Sequence, residues 1–101
     1  VQEPDAIALG RQAFVKADCA SCHSDARGTG PGSFDVGTGG FFQVPPLQGL
    51  SYRLPLMHDG CADSIRSRLT DPACGGGRAH GDLDVLDGTE VLHLEAYLAA
   101  Q

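Results

Sequence analysis

The stretch that decides the fold is Cys19-Ala20-Ser21-Cys22-His23. It holds two thiols three positions apart and an imidazole directly after the second thiol. Two thiols at this spacing can form thioethers to the two vinyl groups of one haem, and the adjacent imidazole can bind its iron. The sequence therefore predicts one covalent haem c, with Cys19 and Cys22 as its thioether residues and His23 as the proximal iron ligand.

Two other chemistries use a C-x-x-C pair. One is a redox-active dithiol, which is typical of a βαβ unit, and the other is half of a zinc site. The chain shows no βαβ pattern around residues 19–22. Haem attachment is accordingly the interpretation that the motif favours.

Composition predicts a single domain, residues 1–101, with a small core. Hydrophobic residues make up 42% of the chain, while 14 glycines, 6 prolines and no tryptophan indicate long loops. A loop-rich domain of this size usually needs a cofactor or a covalent cross-link to be stable. A haem would supply a large apolar centre around which short helices pack.

Charge and hydropathy restrict the partners. Seven basic and 13 acidic residues give a net charge of −6, which opposes binding to nucleic acid and to anionic membrane surfaces. No apolar run approaches the roughly 18 residues of a membrane-spanning helix, so none is predicted. A redox protein with a basic docking surface is the expected partner.

Three helices are predicted, which makes the fold class all-α. They cover residues 5–16 with Asp5 as N-cap, residues 61–69 with Asp63 or Ser64 at the start, and residues 89–100 with Thr89 as N-cap. Gly- and Pro-rich segments at residues 27–49 and 73–88 are expected to be loops.

This order of elements resembles a class I cytochrome c: a helix, C-x-x-C-H, glycine-rich loops, a short helix and a last helix. The resemblance implies a crossing of the first and last helices, carried by Gly10 and Phe14 on one and Leu94 and Tyr97 on the other. It also implies that the carbonyl of the Gly30-Pro31 proline accepts a hydrogen bond from the His23 ring.

A closer resemblance covers residues 34–98 and points to the C-terminal haem domain of dihaem cytochrome c peroxidases and MauG-type enzymes. It rests on Asp35-Val36-Gly37-Thr38-Gly39-Gly40, Val44-Pro45-Pro46-Leu47-Gln48-Gly49-Leu50 and His58-Asp59-Gly60. The chain has a single C-x-x-C-H, so the second haem of those enzymes is absent. By this resemblance His58 orders a turn or touches the haem edge and does not bind iron.

The sixth iron ligand has several candidates: Met57, His58, His80 and His93. In class I cytochromes the distal ligand lies between the last two helices, and the loop at residues 73–88 contains His80. Met57 is the alternative, since a thioether ligand is common in electron carriers. His93 is expected on the surface, and Arg53 is a candidate partner for a haem propionate.

The remaining cysteines, Cys61 and Cys74, lie 13 positions apart and are expected to form a disulfide in an oxidising compartment. The chain begins Val1-Gln2-Glu3-Pro4, without an initiator methionine. We read this as a mature chain secreted through a signal peptide that is no longer present. The expected location is periplasmic or otherwise extracytoplasmic.

These observations favour a monohaem cytochrome that carries single electrons between redox partners and catalyses no reaction of its own. Two alternatives remain open. One is a peroxidase-like haem enzyme, in which His80 or Met57 leaves the iron to admit peroxide. The other is a haem sensor that binds a small gas at an open sixth position.

Overall fold

Helices form the frame of the fold. The computed structural model describes residues 4–34, 40–57, 60–78 and 80–101. Its elements are α1 (Pro4–Lys16), β1 (Ser33–Phe34), β2 (Phe42–Gln43), α2 (Ile65–Thr70) and α3 (Gly88–Ala99), with short 3-10 turns at Cys19–Ser21, Leu50–Tyr52, Pro72–Cys74 and Leu83–Val85. The predicted all-α class is confirmed, although an unpredicted two-residue antiparallel hairpin, β1–β2, is present.

The crossing of α1 and α3 organises the core, as the sequence predicted. A Cβ atom at Gly10 would overlap the main-chain carbonyl of His93, so only glycine permits the helices to approach this closely. Phe14 and Tyr97 lie one turn away, with ring centroids 5.3 Å apart, and Leu94 is fully buried. The crossing thus fixes the end of α1, from which the C-x-x-C-H turn follows.

Two ion pairs link α3 to the other helices. Lys16 Nζ, at the end of α1, lies 2.8 Å from the Glu90 carboxylate. Arg66 Nε, on α2, lies 2.7 Å from the Glu95 carboxylate. Both pairs are largely exposed to solvent, so each adds little to the stability of the fold. Most of the stability must come from the apolar contacts.

The apolar contacts join side chains of all three helices and of the loops into one cluster. Its buried members are Ala13, Phe14, Leu56, Ala62, Ile65, Leu69, Cys74, Leu83, Leu94 and Leu98. Met57 packs against this cluster and is half-buried.

The starts of α1 and α2 differ from the predictions. Helix α1 begins at Pro4, which places Asp5 in its first turn instead of at the N-cap. Helix α2 begins at Ile65, later than the predicted residue 61, because Ala62 forms an antiparallel bridge with Leu56. Ser64, one of the two expected caps, accepts a hydrogen bond from the Ser67 N–H.

The predicted cap of α3 is wrong. Asp87, and not Thr89, is the N-cap, and its side chain accepts a hydrogen bond of 2.8 Å from the Glu90 N–H. The Glu90 carboxylate in turn accepts a hydrogen bond from the Asp87 N–H at 3.0 Å. This reciprocal capping box satisfies two donors at once, which a cap at Thr89 would not.

Candidate functional site

The C-x-x-C-H motif folds as a tight turn directly after α1. Asp18 takes a left-handed conformation with φ 65°, which ends the helix and starts the 3-10 turn Cys19–Ser21. The backbone N–H groups of Cys22 and His23 both donate to the carbonyl of Cys19, at 3.3 and 3.0 Å. Because residues three apart nearly eclipse one another in this geometry, the turn brings the two thiols to one side.

The two motif cysteines form no disulfide. Burial raises the pKa of the Cys19 thiol to about 11. Redox-active C-x-x-C pairs instead depend on a lowered thiol pKa, so the redox interpretation is disfavoured. The zinc alternative also lacks support, since no group of three or more His, Cys, Asp or Glu side chains that could hold a metal occurs within the parts of the chain that the structure describes.

The His23 ring is oriented by a main-chain carbonyl. Its Nδ1 lies 2.5 Å from the Gly28 oxygen and donates to it, so Nε2 is the ring nitrogen that would bind iron. Burial lowers the pKa of His23, and this favours the neutral, ligand-competent ring. The side chain is therefore held as an axial ligand needs to be held.

The expected acceptor for this bond was the carbonyl of Pro31, and that expectation is wrong. Gly28 has φ 77° and donates its own N–H to the Asp25 carbonyl at 3.0 Å, so a tight turn aims its carbonyl at the ring. Gly30 has a different role, because a Cβ there would overlap the Cys22 carbonyl. The glycine allows close approach of the loop, while the proline carbonyl does not accept the bond.

His80 lies opposite His23. The two ring centroids are 6.3 Å apart and the ring planes differ by 16°. A metal–imidazole bond is about 2 Å long and a ring nitrogen lies about 1 Å from its centroid, so two imidazoles across one ion have centroids about 6 Å apart. The centroid separation therefore matches that of two imidazoles that share one ion.

The polypeptide leaves the His80 ring with unused bonding capacity. Its Nδ1 is buried and has no hydrogen-bond partner among the described residues. Burial, with smaller contributions from the charges of Arg68 and His23, lowers the pKa of His80 to about 3. The ring is consequently neutral near pH 7 and can act as a metal ligand.

Long-range main-chain bonds bring His80 to this position. The Asp82 N–H donates to the Ala17 carbonyl at 2.8 Å, beside the C-x-x-C-H turn. Gly81, between His80 and Asp82, has φ 74°, and a Cβ there would lie 3.1 Å from the Ala17 oxygen and 3.5 Å from Cys19 Sγ. The chain thus passes close to the first haem-binding cysteine immediately after His80.

The other predicted site residues are Met57, His58, His93 and Arg53. Met57 packs against the hydrophobic cluster, and His58 falls outside the described residues. Half-buried His93 lies on α3, where its carbonyl faces Gly10. Exposed Arg53 donates to the carbonyls of Pro46 and, at 3.1 Å, Gln48, so a propionate contact for Arg53 stays a prediction.

The structure joins Cys61 and Cys74 as a disulfide, with their Cα atoms 5.8 Å apart. Cys61 is exposed, whereas Cys74 is 1% exposed and belongs to the core cluster. The bond connects the start of the α2 region to the loop that leads to His80. Its expected consequence is a more constrained path from Cys74 to His80.

A helical frame around a C-x-x-C-H turn, with a second imidazole facing the first, defines a c-type haem protein. The sequence model of the family named Cytochrome c matches residues 7–100, and the chain belongs to the cytochrome c family. Membership implies one-electron transport by covalently attached haem c with its iron. Neither a curated protein nor a solved structure matches the chain significantly.

The helices are short compared with a membrane-spanning helix. Over residues 4–34, 40–57, 60–78 and 80–101, no helix has the length and apolar character to cross a membrane. The longest helix there, α1, has 13 residues.

Proposed function

We propose that this chain carries single electrons as a bis-histidine cytochrome, with His23 and His80 as the two axial ligands of one haem. The observation that supports this proposal is the opposed pair of imidazoles, with ring centroids 6.3 Å apart. The buried Nδ1 of His80, which has no partner among the described residues, adds to it, because a buried ring nitrogen without a polar partner is costly unless it has another bond to make.

Each residue of the site has a defined role. The haem iron supplies a ferric–ferrous couple that exchanges one electron. Cys19 and Cys22 hold the group covalently to the turn after α1. The Gly28 carbonyl orients His23 from one side, and the main-chain bonds around residues 77–83 hold His80 on the other.

Two nitrogen ligands have consequences for the chemistry. They leave no open axial position for peroxide or a small gas, which favours electron transfer over catalysis or sensing. A Met/His pair raises the potential of a cytochrome c, so His/His ligation predicts a lower potential than Met57 would give.

The compartment and the partner extend the proposal. A disulfide between Cys61 and Cys74 is consistent with an oxidising, extracytoplasmic location such as the periplasm. The net charge of −6 favours a redox partner with a basic docking surface. Electron transfer to a cationic ruthenium complex should therefore slow as ionic strength rises, whereas transfer to an anionic complex should not.

The test of the ligand assignment compares two variants of the holo-protein, His80→Ala and Met57→Ala. His80→Ala should lose the low-spin spectrum of the ferric protein and bind carbon monoxide readily in the ferrous state. Met57→Ala should change stability through its packing and keep the wild-type spectrum. The reverse pattern would move the sixth ligand to Met57, and rapid carbon monoxide binding by the wild type would favour the peroxidase-like or sensor alternatives.

A further inference from the structure

One arginine of α2 bonds to the main chain that carries His80. Arg68 Nη1 donates to the Gly75 carbonyl at 3.0 Å, and Nη2 donates to the His80 carbonyl at 2.9 Å. The Arg68 side chain is half-buried between α2 and this loop. Two nitrogens of one guanidinium thus hold two points of the loop that are five residues apart in sequence.

The bonding of Arg68 differs from that of the other basic side chains near it. Arg66 pairs with Glu95, and Arg78 pairs with Asp82. Within the described part of the chain, no carboxylate forms an ion pair with Arg68. Its charge is therefore compensated by carbonyl dipoles, and charge-assisted hydrogen bonds of this kind are stronger than neutral ones.

The loop is shaped to receive this side chain. Gly75 has φ 98°, and a Cβ there would lie 3.1 Å from Arg68 Cζ and Nε. A Cβ at the next residue, Gly76, would come within 2.8 Å of the Thr70 carbonyl carbon at the end of α2. These two glycines let the loop lie directly on the guanidinium and on the helix end.

We propose that Arg68 is a positioning residue for the distal iron ligand, acting through the main chain of His80. This inference rests on the proposed assignment of His80 as that ligand. The planar guanidinium fixes the spacing of the Gly75 and His80 carbonyls, and so limits how far the His80 ring can withdraw from the iron. A lysine has one point charge in place of this fork and cannot hold both carbonyls in fixed geometry.

The test measures how readily the distal histidine leaves the iron. Carbon monoxide binds a six-coordinate ferrous haem only after the distal ligand dissociates, so its limiting binding rate reports that dissociation. Arg68→Gln should raise this rate by about tenfold, as expected for the loss of the charge-assisted hydrogen bond to the His80 carbonyl. Arg68→Lys keeps the charge and should also bind carbon monoxide faster than the wild type.

Two matched controls separate positioning from general destabilisation. Arg66→Gln removes a neighbouring arginine of the same helix that bonds to α3 instead of the loop, and it should keep the wild-type rate. Ile65→Val lowers stability by trimming a buried side chain of α2 without touching the two carbonyls, and it should also keep that rate.

The outcomes are distinguishable. If Arg68→Lys and Arg68→Gln bind carbon monoxide as slowly as the wild type, the positioning role is wrong while His/His ligation stands. Rescue of the slow rate by Arg68→Lys would show that charge alone acts, and would also overturn the proposal. If the wild-type ferric spectrum is not His/His, the proposed function fails first. Should Arg68→Gln not fold, Arg68→Lys carries the test.

Discussion

The two sides of the haem site are built in different ways. The proximal segment, residues 17–30, is held mainly by bonds between near neighbours, such as His23 to Cys19 and to Gly28. The distal segment, residues 75–78 and 80–83, has little regular structure; besides local bonds such as Leu83 N–H to the Gly77 carbonyl, it is held by contacts more distant in sequence. These include Arg68 on α2, the Ala17 carbonyl and the disulfide at Cys74.

The difference has a functional meaning. A ligand fixed by its own turn stays in place whenever that turn forms, whereas a ligand fixed by tertiary contacts can be loosened by changes far from the iron. Axial ligand identity and geometry tune the potential of a haem. The distal segment is thus the side on which this fold can adjust its redox properties without disturbing haem attachment.

The largest expected effect separates the two ligands themselves. His23→Ala should yield little holo-protein with an intact, low-spin haem, because this residue is part of the attachment motif and is the proposed proximal iron ligand. His80→Ala should retain covalent haem. Haem absorbance per polypeptide measures the difference. Equal yields of covalent low-spin haem from the two variants would remove the asymmetry.

The next effect concerns the covalent tether of the distal segment. Removing the disulfide with Cys61→Ala and Cys74→Ala together should lower the free energy of unfolding by about 3 kcal/mol, from the added entropy of the unfolded chain. Guanidinium unfolding of the holo-protein gives this value. Thioether attachment at Cys19 and Cys22 should remain complete. A double variant as stable as the wild type would show that the other contacts hold the segment alone.

A pair of glycines compares the space available on the two sides. Gly28 and Gly77 have similar φ values, 77° and 81°, so alanine at either position should cost about 1–3 kcal/mol of backbone strain. A Cβ at Gly28 would lie 2.7 Å from Leu47 Cβ, while one at Gly77 would meet nothing within 4 Å among the residues that the structure describes.

Gly28→Ala should therefore be the more destabilising of the two in thermal unfolding. It should also disturb the carbonyl that orients His23, and so shift the reduction potential. Equal stabilities and potentials for Gly28→Ala and Gly77→Ala would mean that the proximal loop is no more tightly packed than the distal one.

The smallest expected effect comes from the N-cap of α3, which lies outside both segments and provides a reference for their variants. Asp87→Ala removes the N-cap of α3 and should cost about 1 kcal/mol of stability. Thr89→Ala should stay within about 0.5 kcal/mol of the wild type, as ordinary surface substitutions do. Neither variant should alter the haem spectrum. A larger loss of stability from Thr89→Ala than from Asp87→Ala would show that Thr89 is the N-cap after all.

Predictability from sequence follows the same division. The proximal site is a prediction from five contiguous residues, because haem attachment and ligation in this motif use neighbours in the chain. The helices were also predicted, since their apolar spacing is local. The capping box of α3 was visible as Asp87-x-x-Glu90 and was overlooked in favour of Thr89.

The distal side was only partly accessible. His80 was favoured by its place between the last two helices, but no pattern in the sequence distinguishes Arg68 from Arg66. Their different roles arise from which face of α2 meets the loop, and that depends on packing. The Gly28 carbonyl was likewise missed, because a turn with φ 77° decides where it points.

The most direct test of the account is the near-infrared magnetic circular dichroism spectrum of the ferric holo-protein. Its charge-transfer band distinguishes His/His from His/Met ligation and from high-spin, five-coordinate haem. The opposed rings of His23 and His80 predict the His/His band. A His/Met band would assign the sixth position to Met57, and a high-spin spectrum would contradict a closed electron carrier.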